Sequence, residues 1–230
     1  VEEEGDGEVN LTVLNKDPYK KDEYFEIIIY DTEGNECLRK QQRLEVVTGE
    51  STLRLFFNLS KPELWDEYSP RPYTLQVHCI GNEIKKQVTF GIRSFKANGS
   101  KLENNGRTVF LRGKHEGGVF PLTGYAEMRK EEWKRYFSIV RSYGLNHVRF
   151  HSWCPPEAAF QAADEQGIFL QVELPLWGSY TTGDTLLTNY MKTEGEKIMK
   201  VYGNHPSFVM FSLGNESVSY THLRAHETCA

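Results

Sequence analysis

Up to about residue 92 the chain alternates apolar and polar positions in short stretches, the period-two pattern of half-buried strands. Residues 9–13 and 53–57 alternate in this way, and residues 24–30 (YFEIIIY) are dense in β-branched and aromatic side chains. Residues 73–79 (YTLQVHC) and 86–90 continue the series. Turn formers separate these runs, among them Asp31 with Gly34 and Asn35, Gly49, Ser69-Pro70 and Gly81-Asn82. Several short strands with no helical stretch between them predict a β-sandwich.

After Arg93 the period changes. Residues 108–111 (TVFL) predict a strand ending at Arg112-Gly113. Trp133, Tyr136, Phe137 and Val140 stand at i, i+3, i+4 and i+7, which predicts an amphipathic helix over 129–142 closed by Gly144. Residues 146–150 read as a strand, and Pro155-Pro156 fit the first turn of a short helix over 157–166 stopped by Gly167. Residues 168–174 predict another strand. Met191, Ile198, Met199 and Tyr202 share the apolar side of a third helix ending at Gly203, and residues 208–213 give the last strand. Helices alternating with near-continuous apolar strands mark a parallel sheet. A (β/α)₈ barrel takes about 250 residues, so four such units are half of one. The fold class is therefore multi-domain, β followed by α/β. Residues 1–92 form the sandwich and residues 93–217 the first half of a truncated (β/α)₈ TIM barrel, with the boundary between Gly91 and Arg93.

Hydrophobic residues make up 39% of the 230 positions and aromatics 13%, enough to build a core and exclude general disorder. Lys and Arg number 27 against 32 acidic residues, a formal charge of −5, so there is no basic surplus and nucleic acid is not an expected partner. The longest apolar runs, such as 208–213, fall far short of the roughly 20 residues that span a bilayer, so no membrane partner is expected. Cys37, Cys79, Cys154 and Cys229 stand apart with no zinc spacing, and they read as scattered small residues. Whether Cys37 pairs with Cys79 stays open. The chain starts at Val1, so its start is expected to be missing and a leader peptide cannot be read. Localisation stays open as well, periplasmic or extracellular being the favoured side. The oligomeric state is not legible.

In parallel α/β folds the chemistry gathers where strands end. The predicted strand ends carry Arg112-Gly113-Lys114-His115-Glu116, Arg149-Phe150-His151-Ser152-Trp153, Glu173-Leu174-Pro175-Leu176-Trp177 and Gly214-Asn215-Glu216. One rim thus collects carboxylates, imidazoles, guanidinium groups and two indoles. A sugar calls for that set, with aromatics against its C–H faces and charged or amide groups on its hydroxyls. Each residue also has a structural reading. Arg149 fits a salt-bridged barrel residue, His115 and His151 fit satisfied structural histidines, and Trp177 fits plain core. Trp153, beside two prolines, is harder to place in a core. Glu173, at the end of an apolar strand, needs either a partner or a role, because burying a carboxylate is costly.

Asn215-Glu216 after the fourth strand is the sharpest signal, and here the chain resembles glycoside hydrolase family 2, the β-galactosidases, β-glucuronidases and β-mannosidases. The likeness is carried by residues 63–77 (ELWDEYSPRPYTLQV), 90–95 (FGIRSF), 109–118 (VFLRGKHEGG), 144–168 (GLNHVRFHSWCPPEAAFQAADEQGI) and 211–217 (FSLGNES). It implies an immunoglobulin-like domain ahead of the barrel and a retaining exo-β-glycosidase acting on carbohydrate, with no cofactor. Glu216 then matches the general acid/base, Asn215 the residue that bonds the sugar 2-hydroxyl, Arg149 the arginine after the second strand, and His115 the histidine after the first. Glu173 matches more loosely an acidic residue that touches substrate. His151, Trp153 and Trp177 complete the expected substrate contacts. The order His151-Ser152 departs from the family's Ser-His. The spacing from Arg-Gly to His115 is shorter than in β-galactosidases, and no magnesium ligands match.

In the family the nucleophile is a Glu near the seventh strand, so it is expected to lie outside this chain, which is then expected to be an inactive fragment. The acid must be protonated near neutrality, which calls for burial of Glu216 and a second carboxylate nearby. Residues 218–228 (VSYTHLRAHET) resemble a translated sequencing adapter. Residues 218–230 are therefore expected to be a non-native tail, and His222 and His226 are set aside as metal ligands. Two other functions fit the same residues: an endo-acting barrel glycosidase of a related family, and a non-catalytic carbohydrate-binding relative.

Overall fold

The computed structural model describes residues 4–82, 84–179 and 183–218, in two compact units, Val1–Val109 and Phe110–Ala230. The first unit opens with six strands, β1 (Asp6–Asn15), β2 (Lys21–Tyr30), β3 (Glu36–Val46), β4 (Gly49–Asn58), β5 (Tyr73–Ile80) and β6 (Lys85–Phe90). Antiparallel β1 and β4 form one sheet, and the other runs β3-β2-β5-β6. Period-two alternation turns Leu53, Leu55 and Phe57 of β4 toward Phe25, Ile27 and Ile29 of β2 and Tyr73, Leu75 and Val77 of β5, and these bury one another.

Strand β3 is absent from the sequence reading. It is an outer strand exposed along most of its length, so it needs no apolar alternation and carries Arg39, Lys40 and Arg43 instead. Charge of this kind blunts an edge against pairing with other chains. The cysteines Cys37, Cys79 and Cys154 are free. Strand β2 lies between β3 and β5 and keeps Cys37 from Cys79.

Three further strands, β7 (Phe95–Asn98), β8 (Lys101–Asn104) and β9 (Arg107–Val109), make a small antiparallel sheet that clusters with the first unit. This corrects the reading of residues 108–111 as the first barrel strand. Asn104 pairs with Arg107 across Asn105-Gly106, both at positive φ, which is the geometry of a tight two-residue hairpin. Val109 therefore ends an antiparallel hairpin, and the first parallel strand begins only at Gly113.

The second unit orders β10 (Gly113–Glu116), β11 (His147–Phe150), β12 (Phe169–Glu173) and β14 (Phe208–Ser212) into one parallel sheet, with β13 (Trp177–Ser179) beside β15 (Asn215–Val218). Helices α1 (Lys130–Ser142), α2 (Glu157–Gln166) and α3 (Thr185–Tyr202) connect the strands. Val148, Phe150, Leu170 and Val172 face Trp133, Phe137, Val140 and Phe160 in one core. Pro156 is the residue capping α2, so the prolines precede its first turn, and Gly167 closes it in the left-handed conformation at φ 66°. On α3, Met191 and Ile198 are buried but Met199 is half exposed, against the expectation of one shared apolar side. Met199 lines an open apolar groove of about 570 Å³ with Leu174, Met191, Phe211 and Leu213.

A buried acid fixes the entry to β14. Asp164 of α2 sits 2.6 Å from His205 Nδ1 and accepts the Ser207 N–H at 3.0 Å. Removing it strands two buried polar groups. Asp164→Ala is expected to lower stability by about 2 kcal/mol, read as a fall in the urea midpoint at constant slope. An unchanged midpoint would show that the pair holds nothing together.

Among the described residues no helix is long and apolar enough to cross a membrane, and no three His, Cys, Asp or Glu side chains gather as a metal site.

Candidate active site

Alternation along the parallel strands decides which side chains reach the site. Val148 and Phe150 enter the helix-facing core, so His147 and Arg149 point to the opposite face of the sheet. Gln171 and Glu173 do the same on β12. On that face Arg149 Nε donates to Glu173 Oε1 at 2.6 Å, and Arg149 Nη2 donates to Asn215 Oδ1 at 2.8 Å. Glu173 is 1% exposed, and its carboxylate also accepts the Ser152 N–H at 2.8 Å and the Gln171 amide at 3.3 Å. The desolvated carboxylate is thus paired and hydrogen-bonded, the condition under which such burial is tolerated. Arg149 is salt-bridged, as its structural reading required, and its second arm fixes the Asn215 amide as well.

Asn215 is held by its backbone too, its N–H donating to Leu176 O at 2.8 Å. Glu216 follows at φ 50°, a left-handed conformation that non-glycine residues adopt at some cost. Its Oε2 accepts the indole N–H of Trp177 at 3.1 Å. Glu216 is exposed, contrary to the burial expected for a proton donor, because β15 lies beyond the end of the main sheet and, among the described residues, pairs only with β13. Trp177 is 67% exposed and so is not core. His151 packs edge-on against Trp177 with ring centroids 4.7 Å apart, and His115 lies 4.8 Å from His151. Glu173, Arg149, Asn215, Glu216, Trp177, His151 and His115 therefore form one continuous run across the strand ends.

Trp153 stands apart from that run. Its indole N–H donates to Glu116 O at 3.0 Å, and its ring meets Phe150 and Phe120 edge-on. Gly118, at φ 70°, lies against the same ring, where a Cβ would come within 3.5 Å of it.

The rim reading passed over Glu116 as an individual residue. It faces away from His115, is 8% exposed, and accepts Lys114 Nζ at 2.8 Å, Tyr136 OH at 2.7 Å and Gly118 N at 3.2 Å. Burial works against its charge, but these donors outweigh it and hold the carboxyl below the usual range. The sequence signal is an acid on the helix-facing side of a parallel strand, where β11 and β12 place apolar residues.

His147 lies on the same face as Arg149, 7% exposed, with Nε2 buried and unpartnered. Burial and the charge of Arg149 lower its imidazole to about 4. Between pH 6.5 and 4 the unfolded chain takes up a proton that the folded chain refuses, so stability falls as pH falls through that window. The loss at this residue is up to about 3 kcal/mol. His147→Leu is expected to flatten that part of the curve, measured as urea midpoints at pH 7 and 4.5. An unchanged pH slope in the variant would contradict this.

A profile of glycosyl hydrolases family 2 matches residues 1–93, and the profile of that family's TIM barrel domain matches residues 95–229, a stretch that takes in the segment expected to be foreign. The described residues stop at Val218, the first residue of that segment, so the rest of that expectation lies beyond them. A Formosa agariphila protein assigned provisionally as a β-glucuronidase is 31% identical over 166 residues, covering 70% of this chain and 20% of its own length. The β-galactosidase of Priestia megaterium is 24% identical, covering 94% of this chain and 23% of its own. The crystal structure of a Bacteroides uniformis β-glucuronidase overlays with a TM-score of 0.80 at 21% identity, over 96% of this chain and 27% of that one. This chain therefore spans about a fifth to a quarter of the length of these curated relatives. Its two profile matches follow one another along the chain, the first over the sandwich and the second taking in the parallel-sheet unit. The chain belongs to glycosyl hydrolases family 2.

Proposed function

We propose that the protein carrying this chain is a retaining exo-β-glycosidase acting on carbohydrate. The observation that carries the reading is Arg149, whose guanidinium is anchored by buried Glu173 and whose other arm aims Asn215 beside Glu216. In this reading Glu216 is the acid/base. It gives a proton to the leaving oxygen, then takes one from the water that releases the sugar. Asn215 bonds the 2-hydroxyl, a contact that strengthens as the anomeric carbon gains positive charge. His115 and His151 contact hydroxyls, and exposed Trp177 both steadies Glu216 and offers an apolar face. Trp153 supports the rim from behind. The nucleophile comes from a later strand, as the family resemblance implies, and attacks the anomeric carbon as the protonated aglycone leaves.

The experiment is a panel of aryl β-glycosides offered to a full-length enzyme that contains these residues, with the anomeric configuration of the first-formed sugar read by NMR. Retention of the β configuration supports the reading, and inversion overturns it. Asn215→Ala is expected to lower kcat by about 100-fold with a much smaller change in KM. A change confined to KM would mean that the amide contributes only ground-state binding.

A further inference from the structure

We propose that Glu116 is a positioning residue of the sugar-binding rim, whose clamped carboxylate holds His115 and the His151–Trp153 loop in place beside Arg149. One residue ties three segments together. Its carboxylate takes Tyr136 OH from α1, Lys114 Nζ from its own strand and Gly118 N from the following loop. Its main-chain oxygen takes both His151 N, at 2.9 Å, and the Trp153 indole N–H, at 3.0 Å. Glu116 pairs with Phe150, and His115 with Arg149, in the parallel ladder, so a shift of β10 moves His115 against the Arg149 side chain.

Stability alone does not account for this arrangement. The helix-facing positions of the next two strands of the sheet, β11 and β12, are Val148, Phe150, Leu170 and Val172, and a buried carboxylate paired to a half-exposed lysine is a poor substitute for such packing. The return on a buried, fully bonded carboxylate is a fixed register, because its donors meet it in one geometry only. Lys114 Nζ also lies 5.1 Å above the Tyr136 ring, which restrains these two donors to the carboxylate a second time.

The kinetic part of the test rests on the glycosidase reading, and the exchange part does not. Glu116→Gln and Tyr136→Phe are made in the full-length enzyme, the second because it removes one hydroxyl and leaves the fold intact where the first fails to fold. Misplacement of the rim is expected to lower kcat/KM about tenfold in each variant, by the same factor for activated and unactivated aryl glycosides. Hydrogen-exchange mass spectrometry is expected to show faster exchange at the amide of His151 and its neighbours, and unchanged exchange in α2. Unchanged kcat/KM per folded molecule, with only a lower Tm, would reduce Glu116 to a structural residue and overturn the proposal. A loss that tracks the leaving group would overturn it as well, by giving Glu116 a part in proton transfer. If the unsubstituted enzyme cleaves no glycoside, the functional reading fails, and the exchange result decides alone: unchanged exchange around residue 151 refutes the clamp.

Discussion

Glu216→Gln in a full-length enzyme is expected to lower kcat/KM by about 1000-fold for glycosides with poor leaving groups, and by less than about tenfold for activated aryl glycosides. An alkoxide cannot depart without a proton, whereas a stabilised phenolate nearly can. The amide keeps the shape of the carboxylate and can still accept the Trp177 indole N–H, so the loss reports proton transfer and not a collapsed rim. Equal losses on both substrate types, or none, would remove Glu216 from the acid/base role. Trp177→Phe, which deletes the donor and keeps most of the ring, is expected to act in the same direction but more weakly.

The second large effect concerns the buried ion pair. Arg149→Ala leaves the buried Glu173 carboxylate with only Ser152 N and Gln171 to bond it among the described residues. A destabilisation of about 3 kcal/mol is expected, at the low end for a broken buried pair because the Arg149 side chain is one-third exposed. The same substitution frees the Asn215 amide, so activity falls with stability. Pairing Arg149→Met with Glu173→Gln separates the two effects. Removing both charges should restore much of the stability and none of the activity. A double variant as unstable as Arg149→Ala alone would mean that the loss comes from packing and not from a stranded charge.

What the sequence disclosed follows from where each signal originates. Strands with one buried face, such as β2, β4 and β5, betray themselves by alternation, and α2 by its apolar face and Gly167. Strand β3 left no such trace, because an exposed edge has no apolar face to repeat. The hairpin at Asn105-Gly106 carried a strong turn signal, but the β-rich run at 108–111 beside it fitted the expected barrel strand just as well. The true first strand, Gly113–Glu116, has no long apolar residue, so no pattern of burial could single it out. At the site, Arg149, Glu173, Asn215 and Glu216 were legible as residues at strand ends. That Arg149 bridges two of the others was not, since a contact between β11 and β15 is a property of the sheet and not of spacing. Glu116 was hidden for a related reason. Its partner Tyr136 looked like one more apolar position of α1, and only the folded chain brings the hydroxyl to the carboxylate.

Azide rescue tests the central assignment most directly. Glu216→Ala in the full-length enzyme leaves a small space where the acid/base stood, and with an activated aryl β-glycoside the glycosyl-enzyme still forms but its release lacks a base. Azide needs no deprotonation and can attack that intermediate from the vacated side. Added azide is therefore predicted to raise turnover and to give the β-glycosyl azide, with configuration retained, as read by proton NMR. The α-glycosyl azide would make Glu216 the nucleophile, and turnover indifferent to azide would remove it from the reaction.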